Sequence, residues 1–379
     1  MINFYVTITQ IQKILIYSNK KITMNKILFF TVIINCFTVF SGYFKISDVV
    51  LIDMYETESI FPVLHSELNP KAAEKINTYL HYAELTKVFG REDENIFSNV
   101  FPTEEGFWGQ TGFSYTIYRN DDLYFSIGIS YDNTGAYTEY YTDYFTFVSK
   151  TGEHITLKDF FAETPLETIG EIINGRCADK ISNFIGTIDP NQEDATEQIE
   201  MYQECLNSRA DDSYIYPGNF RMEKEGMVFI IERCSNHMMA ALDELWVFEE
   251  EMSYDILTNF FSQNPLDAYL EGNWPKNAAV TLNDKILNGS INKNYPITAR
   301  LQLDVSQGEV GGVYWYDKNK IEIYLSGVIR EDGTYEITEY NSDEVITGFF
   351  YGTVENGVFS GNWENKDHSK SMPFILTVD

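Results

Sequence analysis

The chain has 379 residues, 44% of them apolar and 15% aromatic, with a formal net charge of −30. That much apolar side chain supports packed cores and excludes global disorder. A surface this acidic repels phosphate, so no nucleic-acid partner is expected; a cationic partner, or solubility alone, accounts for the charge.

Residues 1–42 carry Lys13, Lys20, Lys21 and Lys26 and no acid. From Met24 to Gly42 the chain reads as a secretory signal: Lys26 precedes an apolar run, and the small residues Ser41 and Gly42 follow it. Residues 1–23 then form an upstream extension, with the start at Met24 and cleavage near Ser41 or Gly42. Two alternatives are lipidation at Cys36, where Asn35 and Phe37 fit a lipobox poorly, and retention of Ile27–Phe44 as an anchor, which is short for a span. No other stretch is apolar and long enough to cross a membrane. The expected location is secreted or periplasmic. Without residues 1–42 the charge is 23 minus 57, or −34.

Beyond Cys36 lie Cys177, Cys205 and Cys234. They allow one disulfide in any of three pairings with one free thiol, or three buried thiols. No Cys-x-x-Cys occurs, so a zinc or redox site of that kind is not expected.

In chain order, Lys45–Tyr55 alternates weakly as a strand. Asn69-Pro70 opens a helix, because Asn caps free N–H groups and Pro suits the first turn. Ile76, Leu80, Ala83, Leu85 and Val88 make its apolar side, and Gly90 ends it. Strand-like runs follow at Gly112–Tyr118, Leu123–Tyr131 and Thr138–Val148. A tight turn at Lys150–His154 leads into a helical region starting at Ile155–Phe161. Amphipathic helices are expected at about Pro165–Ile185 and Glu193–Asn207. Strands come next near Asn219–Glu223, Met227–Cys234 and Glu244–Glu249, then a helix at Ser253–Phe261. Strands and helices without regular βαβ spacing indicate α+β.

From Lys285 to Asp379 up to eight short alternating segments follow one another. Ile297, Ala299, Leu301, Leu303 and Val305 alternate with Thr298, Arg300, Gln302 and Asp304, which gives one dry and one wet face. The others are Ile286–Ile291, Val310–Tyr316, Ile321–Arg330, Thr334–Tyr340, Val345–Val354, Gly357–Trp363 and Met372–Val378. Short Asn- and Gly-bearing links make neighbours antiparallel. Such a meander hides its single apolar face by closing into a barrel, with Gly312, Gly327, Gly348, Gly352 and Gly361 relieving crowding at bends. The expected organisation is a leader (1–42), an α+β domain (43–264) with a linker opening at Asn264-Pro265, and an all-β antiparallel meander barrel of about eight strands (265–379).

Two resemblances follow from particular residues. Gly312-Val-Tyr-Trp-Tyr-Asp317, Ile323-Tyr-Leu-Ser-Gly327, Thr347–Gly352, Gly361-Asn-Trp363 and Pro373–Leu376 resemble a small lipocalin- or streptavidin-like barrel of uncharacterised secreted bacterial proteins. Gly272-Asn-Trp274 repeats the Gly-x-Trp motif that lipocalin-type barrels place on their first strand. Tyr124–Gly128, Thr151–Phe161, Asn219–Phe229 and Ser253–Leu257 resemble the extracytoplasmic α+β domain of bacterial lysozyme-sensing anti-sigma factors, also found beside peptidoglycan deacetylases. The Gly-x-x-His segment of that family is here Gly135-Ala-Tyr-Thr138, without the histidine. This resemblance implies an envelope protein that binds a ligand; the deacetylase chemistry belongs to a separate domain.

No catalytic signature stands out, and no catalytic, cofactor-binding or metal-binding residue is assigned. His65, His81, His154, His237 and His368 are scattered, without His-Glu-x-x-His. Gly-x-Ser-x-Gly, a Walker loop and Gly-x-Gly-x-x-Gly are absent beyond the leader. Asp189–Glu200 has acids at EF-hand offsets, but Asp194 stands where the turn calls for Gly; a capped helix start is the plainer reading. Acids are numerous enough for a chance glycosidase pair, which needs two carboxyls about 5–10 Å apart. Glu249-Glu-Glu251 reads as a solvated edge before a helix. Tyr137, Tyr140, Tyr141, Tyr144 and Phe145, and Tyr314-Trp-Tyr316, are either binding rings or core. The expectation is a non-enzymatic envelope binding protein for a cell-wall glycan or a cationic protein such as lysozyme. An envelope glycan hydrolase and a carrier of a small apolar ligand in the barrel are the alternatives.

Overall fold

The structure, a computed structural model, describes residues 42–52, 57–90, 95–102, 108–135, 138–209, 219–261, 282–304 and 307–378. Cys36, Tyr137, Asn264-Pro265 and Gly272-Asn-Trp274 lie outside the described residues, as does the leader up to Ser41. The architecture is the expected one: an α+β region followed by a closed antiparallel barrel.

Strands β1 (Lys45–Ile52) and β2 (Glu58–His65) form a two-stranded antiparallel sheet. The alternation of β2 escapes a sequence reading because Pro62 interrupts it; Pro62 sits opposite Asp48 in the ladder. Helix α1 (Pro70–Leu85) starts as expected, with the Asn69 side chain accepting the Ala72 N–H and Pro70 in the first turn. It ends at Leu85, not Gly90. Thr86 adopts the left-handed conformation (φ 48°) and turns the chain off the helix axis. That turn lets Val88 pack against Val313 and Trp315.

Strands β3 (Gly109–Asn120), β4 (Tyr124–Thr134), β5 (Glu139–Val148) and β6 (His154–Ile155) form a four-stranded antiparallel sheet. Its inner face and α1 enclose one core, with Phe61, Ile76, Leu80, Phe125, Ile127 and Phe147 buried. A second core gathers around α2 (Leu157–Phe160), α3 (Glu163–Ile185) and α4 (Ala195–Arg209). They pack on the sheet of β7 (Phe220–Met222), β8 (Gly226–Ile231) and β9 (Phe248–Ser253), which leads into the single turn α5 (Tyr254–Leu257). Cys205 on α4 bonds to Cys234, and Cys177 is a buried free thiol, which resolves the three pairings.

One expectation fails at β9. The strand runs 248–253 rather than 244–249 because Asp243 pins the preceding loop: it accepts from Tyr202 Oη at 2.8 Å and from the N–H groups of Ser235 and Trp246 at 3.0 Å. Glu249-Glu-Glu251 lies on this edge strand just before α5, with Glu249 and Glu251 exposed as expected of a solvated edge. Glu250 is turned inward, 5% exposed, with Lys180 Nζ at 2.5 Å, while Glu249 meets Arg221 Nη2 at 2.7 Å.

The barrel comprises β10 (Ile286–Ile291), β11 (Tyr295–Asp304), β12 (Glu309–Tyr316), β13 (Ile323–Ile329), β14 (Thr334–Tyr340), β15 (Ile346–Glu355), β16 (Val358–Asn365) and β17 (Ser371–Thr377), each paired with the next. Closure comes from β10 against β17 over four residue pairs, Asn288–Ile291 with Phe374–Thr377. Gly289 and Gly361 leave no room for a Cβ: one built there would lie 1.8 Å from Ile375 O and 1.9 Å from Tyr351 O. The interior is filled by rings in contact: Tyr314–Phe350 at 5.4 Å, Phe350–Phe374 at 5.0 Å and Phe359–Phe374 at 4.8 Å between centroids. Tyr314-Trp-Tyr316 is thus largely core, and β12 is dry on both faces. Val313 and Trp315 point outward yet are 0% and 2% exposed under Val88 and Tyr82.

One carboxylate sits inside the barrel. Glu339 is 4% exposed and accepts from Tyr314 Oη at 2.6 Å, Trp363 Nε1 at 2.7 Å and Thr347 Oγ1 at 2.5 Å. The tryptophan of Gly361-Asn-Trp363 thereby gains a defined role, as a donor to a buried charge. Removing the acceptor strands those donors away from water, at about 1–3 kcal/mol per group. Glu339→Ala should lower unfolding free energy in urea by about 3 kcal/mol or more, and Glu339→Gln by less, because its amide oxygen still accepts. An unshifted urea midpoint for Glu339→Ala would show that the carboxylate contributes nothing net.

Candidate functional site

Where α1, the β3–β6 sheet and the outside of β11–β12 meet, they leave a cleft of about 660 Å³. Its walls carry five acids, Glu84, Asp143, Asp284, Asp304 and Glu309, against one arginine, Arg300. Tyr79, Tyr144, Phe145 and His154 supply the rings.

The floor is a network around Asp284, two residues before β10. Tyr79 Oη from α1 donates to Asp284 Oδ2 at 2.5 Å, and Arg300 Nε from β11 donates to Oδ1 at 2.9 Å. The Arg300 guanidinium lies over the Tyr79 ring, 4.9 Å from its centroid. His154 Nδ1 from β6 stands 3.5 Å from Asp284 Oδ2. Burial alone would raise the Asp284 carboxyl, but the charges of His154 and Arg300 and the Tyr79 hydroxyl outweigh it and hold the group below its ordinary value. Near neutral pH His154 is uncharged, since burial lowers it from 6.5 to about 4; Arg300 then carries that effect. Next to it, Lys285 is buried and donates to the His154 carbonyl and, at 3.2 Å, to Asp159 Oδ2.

The two deeper acids differ in kind. Glu84 is 7% exposed and, among the described residues, has neither hydrogen bond nor ion pair. Burial, with Asp143 adding to it and Arg300 opposing, pushes its carboxyl well above the usual range. Asp143 on β5 is raised by burial as well, although it accepts from Tyr131 Oη at 2.9 Å.

None of these acids was singled out by sequence reasoning, and a signal was present. Glu84 falls four residues after Leu80 and eight after Ile76, on the apolar stripe of α1. Asp143 falls two residues before Phe145 and four before Phe147, on the inward face of β5. A charge set into a dry stripe is the mark of a buried or functional group. The strand of rings divides: Tyr140 and Tyr141 are exposed, Tyr144 is half-buried at the cleft, and Phe145 is core.

The other candidates do not converge here. Among the five histidines only His154 lines the cleft. His81 is buried, its Nδ1–H donating to the Asn77 carbonyl at 2.9 Å; His65 meets Ser47 Oγ at 2.7 Å; His368 stacks on Phe349. In Asp189–Glu200, Asp189 accepts the Asn191 N–H at 2.9 Å, and Asp194 has φ 62° just before α4. Among the described residues no group of three or more His, Cys, Asp or Glu is placed to hold a metal ion.

The buried histidines set a pH limit. Both His81 and His154 fall from 6.5 to about 4, chiefly by burial. The unfolded chain therefore binds protons that the folded chain refuses. Stability from these groups is full above pH 6.5 and is lost as pH falls toward 4, by about 3 kcal/mol for each at the limit. Urea unfolding should show this fall between pH 7 and 4.5, and His154→Gln should lessen it. Both rings should stay neutral in an NMR titration until about pH 4; protonation near 6.5 would contradict their burial.

No protein-family model matches the chain, and no curated protein matches it. Among solved structures it is similar to the crystal structure of a member of the DUF3298 family from Bacteroides fragilis, at 13% identity and a TM-score of 0.39, over 61% of this chain and 98% of that one.

Proposed function

We propose that the protein is a non-enzymatic binding module of the bacterial envelope, secreted or periplasmic, that recognises a cationic protein such as lysozyme through the acid-lined cleft. The observation that carries this reading is the cleft itself, with five acids to one arginine in a chain of net charge −30. The resemblance of Thr151–Phe161 and Asn219–Phe229 to the lysozyme-sensing domain points to the same partner class. The Cys205–Cys234 disulfide supports an oxidising compartment. Among the described residues no helix is long and apolar enough to cross a membrane. The ring-filled barrel interior favours an outer surface over the lumen as the binding element.

Opposite charge speeds encounter and is screened by salt, with a Debye length of about 30 Å at 0.01 M and 3 Å at 1 M. Biolayer interferometry with immobilised protein and lysozyme in solution should give an association rate that falls at least tenfold between those salt levels. No binding at the low-salt end removes the reading.

One observation favours a second reading, a glycan hydrolase: Glu84 and Asp143 both have raised carboxyls in one cleft, as a general acid requires. Soluble peptidoglycan fragments incubated with the protein should then gain new reducing ends. Unchanged fragments dispose of it.

A further inference from the structure

We propose that the cleft is a receptor for a single cationic side chain, lysine or arginine, of the protein partner, with Glu84 as the carboxyl that takes it. This rests on the cationic-protein reading and narrows it to one contact.

Three observations lead there. Glu84 faces the cavity, is 7% exposed and is without a partner among the described residues. A buried carboxyl without a partner costs stability, so a fold that retains one has left a valence for something to fill. Second, the wall's own cation is engaged: Arg300 is held by Asp284 and stacked on Tyr79. It therefore does not reach across to neutralise Glu84. Third, Tyr144, half-buried, and Phe145 line the same cavity and offer apolar area for the methylene stem of a lysine or arginine.

The groups facing Glu84 fix a proton coupling. From the sheet come Asp143, bonded to Tyr131, and His154, neutral near pH 7. From α1 comes Tyr79, and from the barrel side Asp284 with Arg300, then Asp304 and Glu309 farther out. In the unbound protein burial and Asp143 keep the Glu84 carboxyl protonated well above its ordinary range. An arriving cation favours the carboxylate, so binding expels that proton. Affinity therefore rises with pH.

The experiment uses the full chain and lysozyme as the probe, at one low salt concentration and at pH 5 and pH 8. Glu84→Gln keeps the shape and the neutral state of the carboxyl, so folding should be undisturbed. Glu251→Gln removes one exposed charge on β9, outside the cleft, and controls for net charge. The wild type should bind about tenfold tighter at pH 8 than at pH 5. Glu84→Gln should lose at least tenfold at pH 8, with little change at pH 5, and Glu251→Gln should match the wild type at both. Calorimetry in buffers of different ionisation enthalpy should detect net proton release on binding by the wild type and none by Glu84→Gln. Lysozyme bound equally by the wild type and Glu84→Gln, with the same proton count, overturns the proposal and leaves the cationic-partner reading standing. No binding by the wild type removes both.

Discussion

The cleft depends on one carboxylate. Asp284 takes a hydroxyl from α1 and a guanidinium from β11, and stands beside the imidazole of β6. It thereby pins three stretches far apart in the chain to one point. Its own backbone is in the left-handed region (φ 57°), with its N–H given to the Leu301 carbonyl at 2.7 Å. Neighbouring contacts reinforce the seat: Lys285 reaches β6 and α2, Lys320 Nζ donates to the Phe89 carbonyl at 2.9 Å, and Val88 meets Val313 and Trp315. Because the charges are largely buried, loss of either Asp284 or Arg300 would leave the other uncompensated, a far larger penalty than the pair's net worth. The placement of Glu84 and Asp143 against the barrel follows from this seat.

Much of the fold was legible because its signals are local. Alternation along β10–β17 and the turn residues between them identify the barrel, since each hairpin is decided within about twenty residues. The start of α1 was legible from Asn69-Pro70 for the same reason. Where the expectation failed, a distant partner decided. The left-handed Thr86 and the course of the chain after it reflect the outer face of β12, more than two hundred residues away. The shift of β9 reflects Asp243, held by Tyr202 of α4.

The site was less legible because its members are ordinary in their own segments. Arg300 looks like any polar residue on the wet side of a strand, and Asp284 like a loop acid. Only assembly makes them neighbours. Glu84 and Asp143 were the exceptions, acids interrupting dry stripes. Glu339 belongs with them: it follows Tyr335 and Ile337 on the inward face of β14, yet its three donors lie on β12, β15 and β16. Such interruptions read alike in sequence, and only the structure separates a saturated carboxylate from one with an open valence.

Closure of the barrel is uneven in a way that bears on how it assembles. Seven of its eight ladders join successive strands, whereas the ladder of β10 with β17 spans four residue pairs between segments more than seventy residues apart. Local hairpins can zip early, and the long-range stitch must wait for loop entropy to be overcome. Until it is made, two unsatisfied strand rims stay open to a second chain. The hazard for the barrel therefore lies in the last step of its folding, and a weakened seam would show itself as aggregation during synthesis before any loss of the finished molecule.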